Sequence, residues 1–169
     1  MTKDVLITIS GVQMLDEEDA DVEMVTRGDY YQKNGKHYIL YDEVMEGFDG
    51  RVRNVIKISP DSVDIIKQGA ASAHMQFEKN KKNLSCYTTP LGDLMIGIQA
   101  NRISIDEGED HLKINVEYSL DINYQHASEC NISVNVQSVW KFRQIQNAAA
   151  KMFCSKTGAG MIHLSHTGP

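Results

Sequence analysis

Cysteine is scarce in this chain of 169 residues: Cys86, Cys130 and Cys154 are an odd number with no short spacing among them. Such a set builds neither a disulfide framework nor a Cys-x-x-Cys metal or redox motif, so all three read as reduced thiols. Long apolar runs are also missing. No uncharged apolar stretch approaches the ~20 residues that a membrane span requires. The start, MTKDVLITISGVQ, has an aspartate at its fourth position and then alternates, as a strand does and a secretion signal does not. These absences point to a cytoplasmic protein with no membrane partner.

Helical periodicity is absent from residues 1–138, which excludes parallel strands joined through crossover helices. The six histidines form no His-Glu-x-x-His pattern, and no glycine-rich loop follows a strand. Neither a zinc site, a phosphate cradle nor any cofactor is therefore expected. His163 and His166 have a spacing that holds a metal weakly on a helix, but an uncommitted pair in a mobile tail is the favoured reading.

Acidic residues are absent from the last 31 positions, which hold four basic ones. All 23 acidic and 13 of the 17 basic residues lie in residues 1–138, a balance of −10. A domain of that charge repels phosphate backbones at long range, so nucleic acid is not the expected partner. With 41% hydrophobic and 24% charged residues, the chain has ordinary globular composition, and its length suits one core.

What is present is alternation. From His111 to Ile122, Leu112, Ile114, Val116, Tyr118, Leu120 and Ile122 alternate with polar residues, which describes a long strand with one wet face. The pattern recurs at Val5, Ile7 and Ile9, and at Ile132, Val134 and Val136. Further strands are predicted over 24–33, 36–44, 51–59, 62–68, 73–79, 84–89 and 94–105, about ten in all. Asn34-Gly35 suits a type I′ hairpin, whose two central residues need positive φ. Asp49-Gly50 is a looser turn signal, Pro60-Asp61 fits a type I turn, and Thr89-Pro90-Leu91-Gly92 and Glu107-Gly108-Glu109-Asp110 break the neighbouring strands. Turns every 8–16 residues are the spacing of an all-β meander. Residues 1–138 therefore read as an all-β, antiparallel, up-and-down, calycin-like (lipocalin-like) β-barrel of about 8–10 strands, whose closure removes exposed edges.

Residues 139–169 read differently. Phe142, Ile145, Ala149, Met152 and Phe153 recur at three- and four-residue steps, predicting a C-terminal amphipathic helix from Val139 to Phe153, followed by a flexible tail.

The stretch YYQKNGKHYILYDE, from Tyr30 through Gly35 to Glu43, resembles the YwiB-like family of uncharacterised bacterial proteins. The likeness continues through GRVRNVIKI, VDIIKQG, MQFEKN, YTTPLG and HLKINVEYSL, about 130 residues in order. It implies the barrel and a bacterial cytoplasmic setting, and it implies no activity. The segment after Ser138 has no counterpart in the family pattern.

A barrel of this size either holds one small ligand at its mouth or is filled by its own side chains. Candidate pocket residues are Tyr38, Tyr41, Glu43, Arg53, Lys57, Lys67, Met75, Phe77, Tyr87 and Thr89, which mix aromatic walls with a few charges. Against this stands a plainer reading, with Tyr38, Met75 and Phe77 as core filler and the charges on the solvated face. Strand parity puts Arg53 with Lys57, and Tyr41 with Glu43. Asp42 and Glu43 are adjacent and point to opposite sides, which argues against an acid–base pair, and no catalytic constellation is found.

The run Asp16-Glu17-Glu18-Asp19-Ala20-Asp21 reads as a solvated loop, or else as a dock for a basic partner such as the chain's own tail. Two functions follow. One is a binding module taking a small, partly apolar ligand against Tyr41, Met75, Phe77 and Tyr87, with Arg53 or Lys57 meeting an anionic group. The other is a non-enzymatic interaction module that uses the barrel surface or helix to contact another protein or a second copy, as a homo-oligomer.

Overall fold

In the computed structural model, residues 1–11 and 23–157 are described, with side chains as far as residue 154. Alternation becomes ten antiparallel strands: β1 (Asp4–Ser10), β2 (Met24–Lys33), β3 (Lys36–Val44), β4 (Arg51–Ser59), β5 (Ser62–Gly69), β6 (Ala73–Glu78), β7 (Lys82–Thr89), β8 (Gly92–Glu107), β9 (His111–Ile122) and β10 (Gln125–Ser138). The helix α1 (Val139–Thr157) follows directly. The acidic run at 16–21 and the histidine pair at 163 and 166 lie outside the described residues.

Each strand pairs with its chain neighbours except across β6 and β7, and β1 also pairs with β10, so the order runs β6-β5-β4-β3-β2-β1-β10-β9-β8-β7. This is the predicted up-and-down meander, curled until β6 and β7 face each other. Backbone bonds cross that seam at Ser72 and Thr88, at 2.9 and 2.8 Å, while the β6–β7 tip hooks onto β8 through Asn80 N–H to the Ala100 carbonyl at 2.9 Å. Between those points side chains bridge the gap: Asn83 Nδ2 donates to the Gln76 carbonyl at 3.2 Å, and Ser85 Oγ accepts from His74 N–H at 3.4 Å. The barrel is nearly closed.

Register places the apolar sets on one side. Ile7 and Leu112 both lie opposite Val136, and Val116 lies opposite Ile132, so the odd residues of β1 and the even ones of β9 and β10 all face inward. A slip of one residue would turn each set to solvent, which fixes the pairing. Val5, Ile7, Ile39, Ile56, Phe77, Ile98, Leu112 and Ile114 are buried almost completely. The middle of the barrel is thus filled by its own side chains, and any binding function belongs to its ends.

The Asn34-Gly35 turn has both residues at positive φ, 53° and 70°, as its sequence requires. In the β3–β4 connection the positive-φ glycine is Gly47 instead of Gly50. The β9–β10 turn places Asn123 and Tyr124 at φ 49° and 67°. Tyrosine is a poor residue for positive φ, so nothing local in the sequence signals this turn. Asn123 offsets that cost by tying the turn to β8: its N–H donates to the Met95 carbonyl at 2.7 Å and its Oδ1 accepts from Met95 N–H at 3.2 Å.

The two ends of the barrel differ. One carries the β2–β3 and β4–β5 hairpins and α1, and there the Tyr30 hydroxyl meets His37 Nδ1 at 2.7 Å inside the wall. Ser138 is fully buried at the root of α1, and Lys141 Nζ pairs with Asp110 Oδ2 at 3.1 Å. Beyond that root the helix leaves the barrel. Phe142 is half-buried, Ile145 is 53% exposed, and Met152 and Phe153 are 69% and 73% exposed. The other end, reached by the β3–β4, β5–β6 and β7–β8 connections, is the mouth.

Candidate functional site

At the mouth the inward alternation of apolar residues is interrupted. β4 presents Val52, Asn54, Ile56 and Ile58 to the interior, one amide among three aliphatics, and Asn54 is fully buried. Register sets Tyr41 of β3 opposite Asn54, Asn54 opposite Lys67 of β5, and Lys67 opposite Ala73 of β6. These four form a row across the inner wall, with Glu43 one step nearer the rim, opposite Val52.

The row converges on one oxygen. Lys67 Nζ donates to Glu43 Oε2 at 2.8 Å, and Asn54 Nδ2 donates to the same atom at 3.0 Å and to the Val52 carbonyl at 3.3 Å. The Glu43 and Lys67 side chains are 25% and 17% exposed, so the pair sits in the opening and screens its own charges. The other end of the Asn54 amide, Oδ1, is buried with no hydrogen-bond partner, alone in this among the described side chains. A flipped amide would turn that oxygen onto the Glu43 carboxylate, so the carboxylate fixes the orientation. A buried acceptor without a donor costs about 1–3 kcal/mol.

Two phenols lie near the group: Tyr41, opposite Asn54 and buried in the core cluster, and Tyr87, which packs against that core. Burial pushes the Tyr41 hydroxyl far above its usual titration range, and the Glu43 charge adds to this. Tyr87 on β7 is raised for the same two reasons in the same order. Both stay protonated at neutral pH, each able to donate and to accept.

The structure sorts the sequence candidates by face. Tyr41, Glu43, Lys67, Met75, Phe77 and Tyr87 face inward. Phe77 is deep core, 1% exposed and edge-on to Tyr118 with ring centroids 5.0 Å apart, and Met75 packs against the same core. Thr89 is committed to the β7–β8 turn, its hydroxyl accepting from Leu91 N–H at 3.2 Å and donating to the Gly92 carbonyl at 2.8 Å.

Arg53, Lys57 and Tyr38 require correction. Arg53 and Lys57 do share a face, but it is the outer one, because β4 turns Val52, Asn54 and Ile56 inward. Tyr38 lies opposite Lys57 on that same outside. Neither cation can meet a ligand's anionic group in the mouth, and the inward cation, Lys67, is already neutralised. Arg53 instead stands 3.8 Å from Asp42, and the two exposed side chains make a weak surface pair. Asp42 and Glu43 do point to opposite sides. The outer face of β1–β4 has an open concavity of about 420 Å³ lined by Asp4, Arg27, Asp29, Leu40, Asp42 and Arg53. Its charges are mixed, and Gly28 and Tyr41 complete its lining. Asn54 itself escaped the sequence reading, although an amide at an apolar position of a period-two strand is a legible signal.

Among the described residues, no cluster of three or more His, Cys, Asp or Glu could hold a metal ion, and no helix is long and apolar enough to cross a membrane. Comparison with known proteins agrees with the fold. The chain is 24% identical over 129 residues to the uncharacterized beta-barrel protein YwiB of Bacillus subtilis (strain 168), covering 75% of this chain and 89% of that protein. The crystal structure of the ywiB protein from Bacillus subtilis superposes with a TM-score of 0.68 at 22% identity, covering 80% of this chain and 92% of that one. Residues 7–134 match the model of a domain of unknown function, DUF1934, and α1 lies beyond the matched segment. Spanning most of the barrel, that match bears out the resemblance read from the hairpin around Asn34-Gly35: this chain belongs to the DUF1934 family, the YwiB-like β-barrels.

Proposed function

We propose that the protein binds a small, partly apolar ligand in the mouth of the barrel, in the manner of a calycin, and that it works in the cytoplasm without catalysing a reaction. The observation that carries this reading is the orphaned Asn54 Oδ1. Folding gains little from an amide at that position, where β4 otherwise turns Val52, Ile56 and Ile58 inward, so an unmet acceptor there is explained by a donor that arrives with a ligand. Tyr41 and Tyr87 supply aromatic surface, and the Glu43–Lys67 pair supplies polarity at the rim. Binding without catalysis is supported by Asp42 facing away from Glu43, and the cytoplasmic setting by the free, exposed thiol of Cys86. The acidic barrel favours neither nucleic acid nor an anionic membrane as partner.

A thermal-shift screen of the full chain against metabolites, with Asn54→Leu as control, tests the proposal. Ligands that raise the melting temperature of the natural chain and not of the variant support it. A library that shifts neither protein removes it.

The exposed helix favours a second reading, association with another copy. Beyond Lys141, which pairs with Asp110 of its own barrel, α1 carries Arg143 and Lys151 and no acidic residue, while the barrel is acidic, so the helix of one copy complements the barrel of the next. Molar mass in solution, measured with and without residues 139–169, decides this. A monomer in both cases excludes it.

A further inference from the structure

We infer that the mouth selects an uncharged ligand with a carboxamide-like edge, an N–H donor beside a carbonyl or ring-nitrogen acceptor. This rests on the binding reading above and specifies its chemistry. The unmet group beneath the mouth is an acceptor, Asn54 Oδ1, and it is fully enclosed, so a ligand that reaches it must displace its cover and bring a donor. Glu43 receives both of its described hydrogen bonds on Oε2, which leaves Oε1 open to a second N–H from the same ligand.

The charge of the site argues against an ion. Glu43 and Lys67, 2.8 Å apart, sum to zero. A carboxylate or phosphate brought beside them would face Glu43, and an ammonium would face Lys67. Each would leave one charge uncompensated in a partly desolvated opening. Arg53 and Lys57, the cations that an anionic ligand would call for, point away on the outer face. A neutral polar edge leaves the ion pair intact. The Tyr41 and Tyr87 hydroxyls complete the match, since each remains an O–H that can donate to the ligand's acceptor while the rings cover a flat body.

The test uses three probes of one size and different charge: benzamide, benzoate and benzylammonium. Each is titrated into the ¹⁵N-labelled full chain at neutral pH and followed by NMR. Benzamide is expected to move the side-chain amide of Asn54 and the backbone amides of Tyr41 and Lys67, with a Kd at least tenfold below those of the two ions. Asn54→Leu should weaken benzamide at least tenfold. Tyr87→Phe, which removes only the hydroxyl of a half-buried residue, should weaken it several-fold and keeps the test decisive if the first variant does not fold. Tighter binding of either ion at the mouth overturns the inference and leaves the binding reading standing. Benzamide binding that both variants leave unchanged also overturns it. If none of the three moves a mouth resonance, both fall.

Discussion

Asn54 hands an N–H to Glu43 Oε2 at 3.0 Å while its own oxygen, Oδ1, is enclosed with no donor. The consequence is that Asn54 adds little net stability to the fold. Leucine there removes the orphaned acceptor along with two donated hydrogen bonds, terms of similar size and opposite sign. Asn54→Leu is expected to lie within about 1 kcal/mol of the natural chain in urea unfolding. A loss above about 3 kcal/mol would assign Asn54 a structural role.

Phe77 behaves in the opposite way. It was a candidate wall of the pocket, but it is buried deep in the core against Tyr118. Phe77→Ala should cost about 3–5 kcal/mol, as large-to-small core changes do. A variant that stays stable and loses only ligand affinity would return Phe77 to the mouth.

High pH probes the buried phenols. Below pH 10 the Tyr41 and Tyr118 hydroxyls keep their protons in both the folded and the unfolded chain, and they add no pH dependence. Above the unfolded value the unfolded chain releases these protons while burial, first among the causes, holds them in the folded one. The unfolded state then binds fewer protons, so stability falls as pH rises, by about 1.4 kcal/mol per pH unit for each tyrosine. Urea titrations between pH 9 and 12 should show this slope develop above pH 10 and approach its full value near pH 11, and Tyr41→Phe should remove one tyrosine's share. An unchanged slope would mean that Tyr41 ionises freely in the folded protein.

Gly69 seats the end of β5 beside the mouth. Its φ is +127°, and a Cβ built there would lie 2.2 Å from the Arg51 carbonyl oxygen. Gly69→Ala forces the β4–β5 register apart and is expected to lower stability by at least 1–3 kcal/mol on thermal unfolding. A melting temperature within a degree of the natural one contradicts that geometry.

The strands were legible because alternation is set by burial on one face, and burial is what the barrel is made of. The end of β2 and the start of β3 follow from the Asn34-Gly35 turn. The turn at Asn123-Tyr124 was not legible, because its stability comes from Met95, 28 residues away in sequence. Parity correctly paired Tyr41 with Glu43 and Arg53 with Lys57. It does not say which face is inside, and for β4 that is decided by Val52, Ile56 and Ile58 together. Reading those three as the core face would have placed Asn54 inside and Arg53 outside. The convergence of Asn54 and Lys67 on one Glu43 oxygen depends on the register of three strands, which no local pattern encodes.

The most direct test of the binding mouth is a high-resolution crystal structure of the full chain soaked with benzamide, read at Asn54. The account predicts the probe between Tyr41 and Tyr87, with its N–H within about 3.2 Å of Oδ1, a normal hydrogen-bond distance. A mouth without the probe, in which Oδ1 already accepts from a tyrosine hydroxyl or an enclosed water, would contradict it.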